Sequence, residues 1–297
     1  MTTWVFLAIA AQAIAAVVTY IDRHVLTHGR GIGKPIAYAF YVALLSGFVI
    51  VLLPFGVVAS PSLIVLELSI INAIAFVVSL FFLYSALKEG HASDVMPVVA
   101  AVSAIASFIF ASQWLDEHLP PYFLLAAALF IAGTFLISRY RFTRRQLAFV
   151  AIAGFLFGFT AFTFKLVFDH TTFINGFFWT RMCDVAIALT LFCVPSIRGQ
   201  IFHGSKQSSH STKWIVVGNK ALAGLAAILT QLAIAQGSVS IVNAMSGLQF
   251  AFLLIIAFIF ASYFPKALRG EIEHAGIRHK IFGIGLVILG MAALYIG

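Results

Sequence analysis

The stretch Trp179–Val194, WTRMCDVAIALTLFCV, has the body of a membrane-crossing helix, yet it holds Arg181 and Asp184 three residues apart. Whether those charges are tolerable depends on the solvent, and the rest of the chain decides that. Of its 297 residues 62% are hydrophobic and only 9% charged, with a mean hydropathy of +1.06. A water-soluble domain carries about 25% charged residues. There are too few polar side chains here to coat a surface facing water, so a bilayer is the natural solvent.

Crossing the hydrocarbon takes about 20 apolar residues per helix. Ten apolar spans are legible, at roughly 4–21, 36–54, 63–87, 94–112, 121–138, 147–167, 173–194, 214–235, 239–263 and 280–296. Breakers punctuate the short connections: Pro35, Pro54, Pro61, Pro120, Pro121 and Pro195. Each span is expected to be helical, because backbone groups in hydrocarbon must be satisfied within the segment. The alternation of a membrane barrel is absent. The first span reads as a helix; an uncleaved signal anchor has the same look.

Three of the 18 basic residues, Lys165, Arg181 and Lys220, fall inside spans. The other fifteen all lie in or beside odd-numbered connections, from Arg23, Arg30 and Lys34 after the first span to Lys266, Arg269, Arg278 and Lys280 after the ninth. The even-numbered connections hold Asp116, Glu117 and Asp169 instead. The positive-inside rule then places odd connections in the cytoplasm and both termini outside, in a plasma (inner) membrane. Basic residues along an anionic lipid face account for the net charge of +8 without nucleic acid, leaving membrane lipids as the partner.

An internal echo divides the chain. ALKEGHASDV (86–95) aligns with AIAQGSVSIV (233–242), and FIFAS recurs at 108–112 and 258–262. Both copies fall at the same place in a five-span unit. Because five is odd, a second unit enters the membrane from the opposite side. The expected architecture is all-α and integral to the membrane, with ten transmembrane helices as two inverted five-helix repeats, residues 1–140 and 141–297.

ALKEGHASDVMPVVAAV (86–102) and FIFASQWLDEHLPPYFLLAAALFIAGTFLI (108–137) resemble the EamA-like family of the drug/metabolite transporter superfamily. That family tends to place a Glu after the fourth helix and a Gly near the end of the fifth, as Glu117 and Gly133 stand here. IDRHVL (21–26) and the long connection in FPKALRGEIEHAGIRHKIFGIGLVILGMAALYI (264–296) resemble one subgroup. The resemblance implies a ten-helix permease with cytoplasmic termini, opposite to the charge count. Glu117 has no clean counterpart in the second half, where Glu271 sits in a longer connection.

An ionisable side chain inside a span is a functional candidate, because inserting it costs roughly 2.5–3.5 kcal/mol even on the mildest scale. Arg181 and Asp184 share one helix face. They read either as a self-neutralising pair that locks two helices or as a cavity wall in which Arg181 grips substrate. Lys220, beside Asn219, either snorkels to the cytoplasmic side or faces the cavity. Further polar positions align on single faces: Gln12 with Thr19 and Arg23, Asn72 with Ser79 and nearby Tyr84, and Asn243 with Ser246 and Gln249. With Trp179 beside Arg181, the candidate substrate-binding set is Gln12, Asn72, Tyr84, Trp179, Arg181, Asp184, Asn219, Lys220, Asn243 and Gln249. Gly154 and Gly158, in GxxxG spacing, read as helix packing.

Three cations against one midspan acid favour an anionic or zwitterionic small-molecule substrate. Clustered carboxylates for magnesium, phosphate loops and nucleophile elbows are missing, so no catalytic residue, cofactor or enzymatic activity is expected. The closest acidic group is Asp116-Glu117-His118. EIEHAGIRH (271–279) reads as a solvated connection or, less simply, a metal site. The leading expectation is a secondary transporter or exporter of a small metabolite, working by alternating access through a central polar cavity. A flippase for a lipid-linked substrate and a membrane enzyme acting on a polyprenyl lipid are the alternatives. Ten helices suffice for a cavity, so composition leaves the oligomeric state open.

Overall fold

The computed structural model describes residues 2–28, 34–90, 92–115, 121–137, 142–207, 210–260, 282–283, 285–286, 289–290 and 293. Among them there is no strand. The helices are α1 (Thr2–His28), α2 (Pro35–Leu45), α3 (Leu63–Glu89), α4 (Ala92–Trp114), α5 (Phe123–Ile137), α6 (Arg144–His170), α7 (Phe173–Thr190), α8 (Pro195–Gln207), α9 (His210–Gln236), α10 (Val239–Ala244) and α11 (Leu248–Phe260). The acidic groups at 116–118 and 271–279, and most of the span at 280–296, lie outside the described residues.

Among the described residues seven helical segments are long and apolar enough to cross a membrane, beginning at Thr3, Pro35, Leu63, Asp94, Arg144, Phe173 and His210. Their ends carry the expected chemistry. Ser62, Thr172 and Ser238 each accept a hydrogen bond from a first-turn N–H, and Thr143 with Gln146 forms a reciprocal capping box. Polarity is inverted relative to a soluble protein: on α3, Ser69, Asn72 and Ser79 are buried while Ile70, Ile71 and Ile74 are exposed. Apolar residues outside and polar residues inside suit a lipid surround.

Three local features depart from the spans read in the sequence. α2 continues as a 3-10 helix, Ser46–Phe55, which ends at Gly56 with φ 66°, a left-handed backbone that glycine adopts freely. The connection after the seventh span contains α8, a basic amphipathic helix that hydropathy alone passes over. It starts at Pro195, where a missing N–H does no harm. Its Ile201 is buried beside Ala37 and Phe40, and the Ile201 carbonyl accepts a bond from Tyr41 at 3.2 Å. The ninth span is interrupted, because a 3-10 turn at Met245–Gly247 separates α10 from α11.

The most extensive helix pairings are α3 with α6, α1 with α9, and α4 with α6. Gly154 and Gly158 explain the last of these. A Cβ at Gly154 would stand 2.7 Å from the Val99 carbonyl oxygen, and one at Gly158 would stand 2.5 Å from that of Ser103. Without side chains at these two positions, α6 lies directly on the backbone of α4.

Candidate functional site

A cavity of about 280 Å³ opens where α3 and α4 meet α6, α7, α9 and the α10–α11 break. Its polar lining includes Ser103, Arg181, Gln231, Asn243, Ser246 and Gln249. Phe76, Met96, Phe157 and Phe164 supply apolar wall. The 3-10 turn at Met245–Gly247 positions part of it. Ser246 Oγ donates to the Asn243 carbonyl at 2.6 Å, while Asn243 Nδ2 donates to Ser103 Oγ at 3.2 Å on α4. Gln249 Nε2 donates to Thr19 Oγ1 at 2.8 Å, tying α11 to α1.

Arg181 is the charge in this wall, only 5% exposed. Its Nη1 lies 2.9 Å from Asp184 Oδ2, the geometry that i,i+3 spacing allows, and Asp184 is fully buried behind it. The guanidinium carbon stands 5.0 Å from the Phe76 ring centroid, 5.1 Å from Phe164 and 5.9 Å from Phe177. Rings at that range attract the cation through their negative faces. Among the described residues, Arg181 Nε and Nη2 find no acceptor, and neither does the buried Gln231 Oε1 find a donor.

A second buried ion pair involves Lys220 on α9, about two helical turns, or ~10 Å of helix rise, before Ala227 in the cavity wall. Asp22 on α1 is its centre. Asp22 Oδ1 accepts from Lys220 Nζ at 2.6 Å, Asn219 Nδ2 at 2.6 Å and the Tyr38 hydroxyl at 2.5 Å. Tyr84 OH donates to Oδ2 at 3.4 Å. Lys220 Nζ lies 4.8 Å from the Tyr38 ring centroid, and the two tyrosines meet edge to face. Four helices, α1, α2, α3 and α9, are thus joined through one carboxylate.

Of the ten candidate binding residues, Arg181, Asn243 and Gln249 line the cavity. Tyr84, Asn219 and Lys220 belong to the Asp22 cluster instead. Lys220 does not snorkel outward; it is 8% exposed and turned onto Asp22. Gln12 is buried on α1 but is not part of the cavity wall. Trp179 Nε1 donates to the Ala59 carbonyl at 3.0 Å and steadies the connection before α3. Asn72 Nδ2 donates to the Thr160 carbonyl at 2.9 Å and to Thr163 Oγ1 at 2.7 Å, locking α3 to α6. Replacing Asn72 with alanine is therefore expected to lower the melting temperature, by an amount equivalent to about 1–3 kcal/mol. Ligand binding in the cavity should be unchanged, which a thermal-shift titration checks.

Asp22 and Tyr38 were not singled out in the sequence. A signal for Asp22 was there: it continues the stripe Gln12–Thr19 by one further turn. Arg23 next to it suggested a solvated connection.

No family model matches the sequence, and no curated relative matches it. Among solved structures, the chain is similar to the crystal structure of a protein at TM-score 0.68 and 17% identity, over 98% of this chain and 95% of that one. At that identity the likeness is one of fold.

Proposed function

We propose that the chain is a secondary transporter or exporter that moves a small metabolite by alternating access, with the fold of the EamA-like drug/metabolite transporters. The observation that carries this reading is the cavity itself. A mainly apolar pocket with a few inward polar groups and a buried guanidinium lies inside the bundle, at the junction of helices from before and after residue 140. A packed membrane core has no other need of such a space.

Two five-helix repeats in opposite orientation, ten spans in all, remain part of the proposal. The packing supports it: the third helix of the first unit pairs with the first helix of the second (α3 with α6), and the reciprocal pairing, α1 with α9, is as extensive as that of α4 with α6, the next after it. Such reciprocity is expected of two related units facing each other. The Asp22 cluster lies at the ends of α1, α2, α3 and α9 next to the odd connections, the proposed cytoplasmic side. It ties α9 to the first unit and has to loosen when the cavity opens that way.

Alternating access is testable without knowing the substrate. In a variant with Cys183 and Cys193 replaced by serine, Thr230→Cys places one thiol in the cavity wall. A membrane-impermeant thiol reagent is expected to label it from either side of oriented vesicles, and Ser246→Trp is expected to abolish that labelling by filling the cavity. Labelling from one side alone would rule out the transport cycle.

A further inference from the structure

Resting on that transport reading, we infer that the cavity takes an organic monocarboxylate with an apolar body and one hydrogen-bond donor of its own, such as an aryl 2-hydroxy acid, in preference to a zwitterion or a polyanion.

Two orphaned groups of opposite character line the same space. Arg181 presents Nε and Nη2 without an acceptor, and Gln231 presents a buried Oε1 without a donor. Buried polar atoms in native proteins are almost always partnered; the Asp184 oxygens also lack a hydrogen bond but lie outside the cavity wall, whereas the Arg181 and Gln231 atoms face a space that an entering molecule can fill. Nε and Nη2 form one edge of the guanidinium plane, and that edge matches the two oxygens of a carboxylate. Nη1, the remaining nitrogen, is already held by Asp184.

Charge then narrows the class. Asp184 offsets the Arg181 charge, so a bound monoanion leaves the site with one net negative charge and a dianion leaves two. Among the described residues lining the cavity Arg181 is the one cation, and Lys220 is held on Asp22. A phosphate dianion therefore lacks a second cation. An ammonium fares no better: among the described residues lining the cavity there is no carboxylate, and Asp184 sits behind Arg181 rather than in the wall. An amino acid would bury its ammonium against neutral oxygens only, an unfavourable exchange for water. A hydroxyl, which is neutral, suits Gln231 Oε1. Phe76, Met96, Phe157 and Phe164 accommodate the apolar body.

The test uses the purified full-length protein and three probes of one shape: L-3-phenyllactate, L-3-phenyllactamide and L-phenylalanine. Phenyllactate is expected to raise the melting temperature at a concentration at least tenfold below that required of phenylalanine, and the amide to leave it unchanged. The shift should vanish in Arg181→Gln/Asp184→Asn, which removes both charges together and strands neither. If that double variant does not fold, Gln231→Met serves: it should weaken phenyllactate about tenfold, to the level of 3-phenylpropanoate. Equal responses to phenyllactate and its amide would overturn anion recognition, and an equal or stronger response to phenylalanine would overturn the exclusion of zwitterions. Silence from all three probes, with Thr230→Cys still labelled from both sides, would sink this inference and spare the transport reading. One-sided labelling would instead remove the premise.

Discussion

Gly158→Leu is expected to yield no stably folded protein. A β-carbon at this position would stand 2.5 Å from the Ser103 carbonyl oxygen, 2.7 Å from Ala106 Cβ and 2.9 Å from the Ser107 amide nitrogen. Two of those three atoms are backbone, so no side-chain rotation relieves the clash; α4 and α6 must separate. Overpacking a core typically costs about 1–3 kcal/mol when side chains can adjust. Here they cannot, and the isobutyl group adds several more atoms along the same line. A loss comparable to the ~5–15 kcal/mol that holds a typical domain together is expected. The same separation would pull Ser103 away from Thr160 and open the cavity wall. Size-exclusion behaviour and melting temperature in detergent read the outcome. The informative contrast is Gly218→Ala on α9, where a β-carbon meets nothing within 4 Å. That change should be neutral or stabilising by up to about 1 kcal/mol, since alanine favours helix over glycine. A Gly158→Leu protein that elutes and melts like the wild type would show that the two helices do not touch as described.

The glycine pair was legible because GxxxG is a local pattern with a direct geometric meaning. So was the solvent, since runs of apolar residues of bilayer length have few other uses. The Arg181–Asp184 pair could be read from i,i+3 spacing on one helix. What could not be read were partners on different helices: Asn72 with Thr163, or Asp22 with Lys220, nearly two hundred residues away. No periodicity within one helix says which neighbour it will meet. Helix ends differ from hydropathy boundaries for a related reason. Hydropathy stops where hydrocarbon stops, at about residue 21 for the first span, whereas hydrogen bonding carries α1 on to His28. The extra turns bring Asp22 into the bundle. α8 is hidden from hydropathy because an amphipathic basic helix has the composition of a connection. The cavity required the α10–α11 break; Asn243, Ser246, Gly247 and Gln249 mark its place in the sequence, but a polar stripe on one helix face does not announce a turn of the backbone.

The Asp22 cluster leads to the other large effect. Lys220→Met is expected to destabilise the protein by about 3–5 kcal/mol, the range found when one partner of a buried ion pair is removed. The carboxylate would remain buried, still hydrogen-bonded by Tyr38, Asn219 and Tyr84 but without its counter-charge. Asp22→Asn leaves the complementary problem, an ammonium between two tyrosine rings with neutral oxygens around it. Combining the two substitutions removes both charges. The double variant should therefore be more stable than the single effects predict when added, by a coupling of up to about 3 kcal/mol, as groups in direct contact show. Melting temperatures of the four proteins in one detergent close this cycle, and additive losses would mean that the pair makes no energetic contact. The same variants bear on the proposed transport cycle. If the cluster holds the odd-connection end shut, the double variant should fold, bind phenyllactate, and expose Thr230→Cys more readily to reagent added from that side. Unchanged labelling in a folded double variant would leave Asp22 and Lys220 as a structural tie between α9 and the first three helices, with the closure residing elsewhere along the path.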